Sequence, residues 1–120
     1  MRFNSYADVC VAMNSELLTA RGVGYREPFI GLGLKGDRDF TMQVIQSGLN
    51  VARCTRYGFN CPKNGSNKGG LQATYGYGDK SNREAQASAV LAAIWPWCAE
   101  VKVKPDGRVD AKIHWNKVRE

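Results

Sequence analysis

The sequence predicts an α+β fold: an antiparallel β-sheet meander with two helices packed on one face, plus a C-terminal β-hairpin. Three observations predict it. Apolar residues recur at three- and four-residue steps over 5–21 and 81–95, and they alternate with polar ones over much of 28–57. Clusters of Gly, Pro, Asn and Asp punctuate the chain between those stretches. The 120 residues, 43% apolar and 10% aromatic, suffice for one modest core and are too few for two ordinary domains. A single domain over 1–120 is therefore expected, without internal repeats or a linker.

Residues 5–21 read as an amphipathic helix. Ser5 is a candidate N-cap with Asp8 in the first turn, and Gly22 supplies the stop. Tyr6, Val9, Cys10, Met13, Leu17 and Ala20 form one stripe, which predicts a buried face. The period then changes to two. Ile30, Leu32 and Leu34 alternate with Phe29, Gly31 and Gly33 behind Pro28, and Phe40, Met42 and Val44 alternate after turn chemistry at 35–38. Gly48 closes a second turn, and 49–57 returns as a third strand. Residues 58–70 (GFNCPKNGSNKGG) are too rich in Gly and Asn for regular structure, so a long loop is expected before a short strand at 71–77.

Ser81 and Glu84 stand in capping-box spacing at the head of the second helix, 81–95. Its Ala85, Ala89, Ala92, Ala93 and Ile94 form a small-residue face that lets a helix lie close on a sheet. Pro96 ends it between Trp95 and Trp97. Residues 100–115 read as a hairpin: Val101 and Val103 share one face, Val109, Ala111, Ile113 and Trp115 another, around Pro105-Asp106-Gly107. The three tryptophans are expected to build a small core beneath it.

The order helix, meander, helix resembles the double-stranded-RNA-binding domain, arranged α-β-β-β-α. Two stretches carry the likeness and cover about a fifth of the chain: 36–45 (GDRDFTMQVI) resembles the family's second strand and preceding loop, and 76–89 (GYGDKSNREAQASA) resembles its Gly-x-Gly-x-Ser-Lys-Lys-x-Ala-Lys-x-x-Ala signature. The family's phosphate-gripping lysines fall on Asn82, Arg83 and Gln86, of which Arg83 alone is cationic. The loop histidine has no counterpart among 36–39, 47–70 is an insertion, and the terminal hairpin is extra. The resemblance implies topology more than RNA affinity.

Charge points to an anionic partner. The 17 Lys+Arg against 11 Asp+Glu leave +6 and a pI near 9.3, which disfavours an acidic mimic of DNA. No acidic residue falls between Asp39 and Asp79, where Arg53, Arg56, Lys63 and Lys68 are interleaved with Phe40, Tyr57, Phe59, Tyr75 and Tyr77. Cations grip phosphates and aromatic faces stack bases. The head of the second helix adds Lys80 and Arg83 around exposed amides that suit an anion. The candidate binding residues are thus Arg53, Arg56, Tyr57, Phe59, Lys63, Lys68, Lys80 and Arg83.

Catalytic signatures are thin, and an enzyme is not expected. The string from Gly31 to Gly36 matches a dinucleotide fingerprint, but a strand and turn follow it where the mechanism needs a helix. His114, the single histidine, reads as a surface imidazole, and Asp37 and Asp39 as turn residues. Cys10, Cys54, Cys61 and Cys98 contain no C-x-x-C pair and read as reduced thiols; Cys54, Cys61 and His114 are the remaining metal option. No cofactor or metal is expected. The N-terminal residues lack the apolar core of a signal peptide, and no stretch reads as a membrane span, so a cytoplasmic protein without a membrane partner is expected. The expected partner is nucleic acid or a nucleoprotein complex. The alternative is a host protein, bound by an inhibitor of the kind phages deploy against host defence, such as the anti-CRISPR proteins.

Overall fold

Phe29, Met42, Ile45, Leu91, Trp95, Cys98, Ala99, Ala111 and Val118 meet in one buried cluster, and the elements that carry them define the architecture. The computed structural model describes residues 2–4, 11–57 and 82–119. In chain order these form β1 (Arg2–Phe3), α1 (Ser15–Ala20), α2 (Phe29–Leu32), α3 (Gly36–Gln46), β2 (Ala52–Arg53), α4 (Arg83–Ile94), β3 (Ala99–Val103) and β4 (Val109–Ile113), then a 3-10 turn at Trp115–Lys117. Two antiparallel two-stranded sheets, β1–β2 and β3–β4, stand among the described helices, so the α+β class holds.

The meander does not. Residues 29–32 and 36–46, expected as strands, are α2 and α3. The alternation of Phe40, Met42 and Val44 coexists with a helical spacing, Asp39, Met42 and Ile45, and the three-residue step is the one that reaches the core. Asp37 and Asp39 are first-turn acids at the positive end of α3 and make no strand turn. Gly33 at φ +72° ends α2, and Lys35 at φ +65° starts the next helix. The segment 36–45 is therefore helical where the family resemblance implies a strand. Of the third expected strand, 49–57, Ala52–Arg53 alone pairs, with β1. The loop 58–70 and the strand 71–77 lie outside the described residues.

The first helix is also shorter than its stripe suggests. Asn14 caps it, its Oδ1 accepting from Leu17 N at 3.0 Å, and Gly22 at φ +68° stops it. Residues 5–10 lie outside the description, and the stripe's Met13 and Leu17 are exposed.

α4 follows expectation in extent but not in face. Glu84, Ala87, Ser88 and Leu91 point inward, a face rotated by about 100° from the alanine face expected. Leu91 and Trp95 bury far more apolar area than the alanines, so they set the rotation. The capping box is not formed by Glu84, whose carboxylate turns into the protein. Asn82 caps instead, accepting from Ala85 N at 3.2 Å. Ser81 lies outside the description.

The hairpin forms where expected, but Val101 pairs with Ala111 and Val103 with Val109, so these residues share one face, and Trp115 lies past β4 in the 3-10 turn. β3 and β4 run in register from Ala99↔Ile113 to Val103↔Val109, and α4 covers them. Gly107 at φ +85° makes the turn, with Gly107 N donating to Lys104 O and Asp106 Oδ1 accepting from Arg108 N. Of the tryptophans, Trp95 is buried and Trp115 packs on the core, whereas Trp97 stays partly exposed. No helix among the described residues is long and apolar enough to cross a membrane.

Candidate nucleic-acid interface

Two groups of charged residues stand out, and burial separates their roles. The first is interior. Asp110 accepts from Lys35 Nζ, from Arg38 Nη1 at 3.0 Å and from Ala111 N at 2.8 Å, and Lys104 Nζ lies 3.1 Å from its other oxygen. Glu84 faces Lys35 Nζ at 3.3 Å and Arg108 Nε at 3.9 Å. This cluster joins the α2–α3 turn, the head of α4 and both arms of the hairpin. Burial by itself would push the Asp110 carboxyl up; the Lys35 hydrogen bond and the charges of Arg38 and Lys35 outweigh it and hold the carboxyl well below the usual range. A third buried carboxylate, Asp39, takes both arms of the Arg26 guanidinium (2.9 and 2.8 Å), Gln43 Nε2 (2.8 Å) and the Trp95 indole N–H (2.9 Å). The Asp110 and Asp39 carboxylates are satisfied within the protein, whereas Glu84 Oε2 is buried and accepts no hydrogen bond among the described residues; both assemblies hold elements together.

The second group is on the outside. β1 and β2 pair so that Arg2 stands directly across from Arg53 and Phe3 across from Ala52, and all four are exposed. Asn4 fixes the ribbon, its N–H donating to Val51 O at 2.7 Å and its Oδ1 accepting from Val51 N at 3.0 Å. Arg119 ties the approach to β2, donating to Ile45 O (2.9 Å), Leu49 O (2.7 Å) and Asn50 Oδ1 (3.0 Å). Val51 then packs against the core. The ribbon is short but anchored at both edges.

Beyond it the chain presents Cys54, Thr55, Arg56 and Tyr57, all exposed. The Arg56 guanidinium lies 5.6 Å from the centroid of the Tyr57 ring, which is 75% exposed. Arg2, Arg53, Cys54, Thr55 and Tyr57 line one open hollow. Among the described residues no carboxylate pairs with Arg2, Arg53 or Arg56. Like charges placed opposite one another on a β-ribbon repel.

Of the residues singled out by sequence, Arg53, Arg56 and Tyr57 come together here. Arg83 does not: it is exposed at the head of α4, outside the lining of the hollow, where Asn82 and Glu84 are already engaged. Phe59, Lys63, Lys68 and Lys80 lie outside the described residues. Arg2 is a site residue that sequence reasoning missed, because only strand pairing brings it to Arg53. Among the described residues no group of three His, Cys, Asp or Glu side chains could hold a metal. His114 faces Glu100 at 3.6 Å, and Cys98 is in the core. No protein-family model, curated protein or solved structure matches the chain.

Proposed function

We propose that this protein is a non-enzymatic module that binds single-stranded nucleic acid in the cytoplasm. Arg2, Arg53 and Arg56 grip consecutive phosphates, and Tyr57 offers its open face to a base. The cations that follow in sequence, Lys63, Lys68 and Lys80, with Phe59, belong to the same binding stretch. The observation that carries this reading is the facing pair of Arg2 and Arg53 on an exposed ribbon. A phosphate between two guanidiniums turns that repulsion into two charge-assisted contacts. An exposed tyrosine favours a single strand, because bases in a duplex are already stacked on one another.

Fluorescence anisotropy with a labelled oligonucleotide across a salt series tests it. Affinity is expected to fall linearly on a log–log plot, and each arginine made neutral (Arg2→Ser, Arg53→Ser) is expected to shallow the slope by about 0.7. Tyr57→Ala should cost about 1–3 kcal/mol at every salt concentration, since stacking is not screened. A duplex of the same sequence should bind more weakly. Negligible binding at about 50 mM salt, where backbone contacts are strongest, would sink the reading and turn attention to a protein partner.

A further inference from the structure

Among the described residues β4 alone pairs with β3, whose other edge is arranged to pair with itself. Lys104 N donates to Arg108 O, and His114 N to Cys98 O, each at 2.8 Å. With the register Ala99↔Ile113 to Val103↔Val109, the even-numbered residues of β3 therefore turn their backbone groups toward β4. The odd-numbered ones, Ala99, Val101 and Val103, turn theirs outward. Among the described residues no partner takes the outward groups of Val101 and Val103, and their side chains are 46% and 64% exposed. An edge with two exposed valines is a template for another strand.

We infer that the protein forms a two-fold symmetric dimer in which β3 pairs antiparallel with β3 of a second copy, Val101 meeting Val101 at the axis. Charge selects this register. Shifting it by two residues one way stacks Lys102 on Lys102 at the axis, and shifting it the other way stacks Glu100 on Glu100. With Val101 on the axis, Glu100 instead faces Lys102 of the second copy, twice by symmetry. The row across the joined sheet then reads Lys112, Glu100, Lys102, Asp110, alternating in sign, because Lys112 already faces Glu100 and Asp110 already faces Lys102 within each hairpin. The neighbouring rows are apolar: Ala111, Val101, Val101, Ala111, and Ile113, Ala99, Val103, Val109. The Ala99 N–H is taken by Trp95 O, so the junction adds about four backbone hydrogen bonds.

Sedimentation equilibrium tests this, independently of any nucleic acid. The wild type should show a concentration-dependent monomer–dimer equilibrium. Lys102→Glu and Glu100→Lys should each weaken the dimer about tenfold or more, since each places like charges opposite one another. Mixing the two single variants should restore association, because the lysines of one then face the glutamates of the other, and the double variant E100K/K102E should restore it as well. Should either variant fold poorly, hydrogen exchange on the wild type gives the same answer: the Val101 and Val103 amides should gain protection as concentration rises. A chain that stays monomeric up to about 1 mM overturns the inference, as does a dimer indifferent to both charge reversals.

Discussion

Three cations converge on Asp110, and that carboxylate is the residue on which the interior charge balance turns. Its removal strands Lys35, whose side chain is only 8% exposed, with Glu84 alone as counter-ion. Asp110→Ala is expected to cost about 3–5 kcal/mol in urea unfolding, the range for breaking a buried pair. The pH dependence has a definite sign. Because the folded carboxyl titrates below its unfolded value of about 3.9, its contribution is complete above that pH and is lost as acid approaches the folded value. Asp110→Asn should therefore flatten the acid side of a stability–pH profile while leaving its neutral plateau lower. Thiols behave oppositely. Burial pushes the Cys98 thiol up, so it resists deprotonation, and Cys54 is exposed; mass spectrometry after iodoacetamide should find Cys54 modified well before Cys98.

At the scale of elements, the hairpin and α4 carry the stability that mutation can probe. Gly107→Ala meets no neighbouring atom, so its expected cost of about 1–2 kcal/mol comes from the left-handed backbone alone. Leu91→Ala leaves a cavity in the core and should cost about 2–5 kcal/mol, so thermal melts should rank the two. The same elements were the legible ones. A Pro-Asp-Gly turn between alternating valines admits few structures, and an alanine-rich run ending at Pro96 is a helix under any reading. Residues 29–46 were not legible, for a physical reason. Phe40, Met42 and Val44 satisfy period two, while Asp39, Met42 and Ile45 satisfy the helical step, and a short window cannot separate them. What decides is tertiary: Asp39 must reach both Arg26 and the Trp95 indole, and Met42 and Ile45 must share a core with Leu91. Similarly, Glu84 looked like half of a capping box until Lys35, far away in sequence, claimed it.

Across the whole molecule, an excess of +6 favours anions everywhere on the surface, so net charge alone does not locate a site. Strand pairing is what groups the exposed arginines. The acid-free stretch after Asp39 marked Arg53, Arg56 and Tyr57 correctly as neighbours, but Arg2 sits at the opposite end of the sequence, where nothing local distinguishes it. Arg83 stands apart from them at the head of α4, where Asn82 caps the helix and Lys35 engages Glu84. The guanidinium of Arg119 fastens the carbonyls of Ile45 and Leu49 from which the chain departs toward β2. Arg119→Ala should leave the melting temperature of the core nearly unchanged yet speed amide exchange at Val51 and Ala52. Arg119 thus steadies the approach to the strand that carries Arg53, and loosening it would slacken the β1–β2 ribbon.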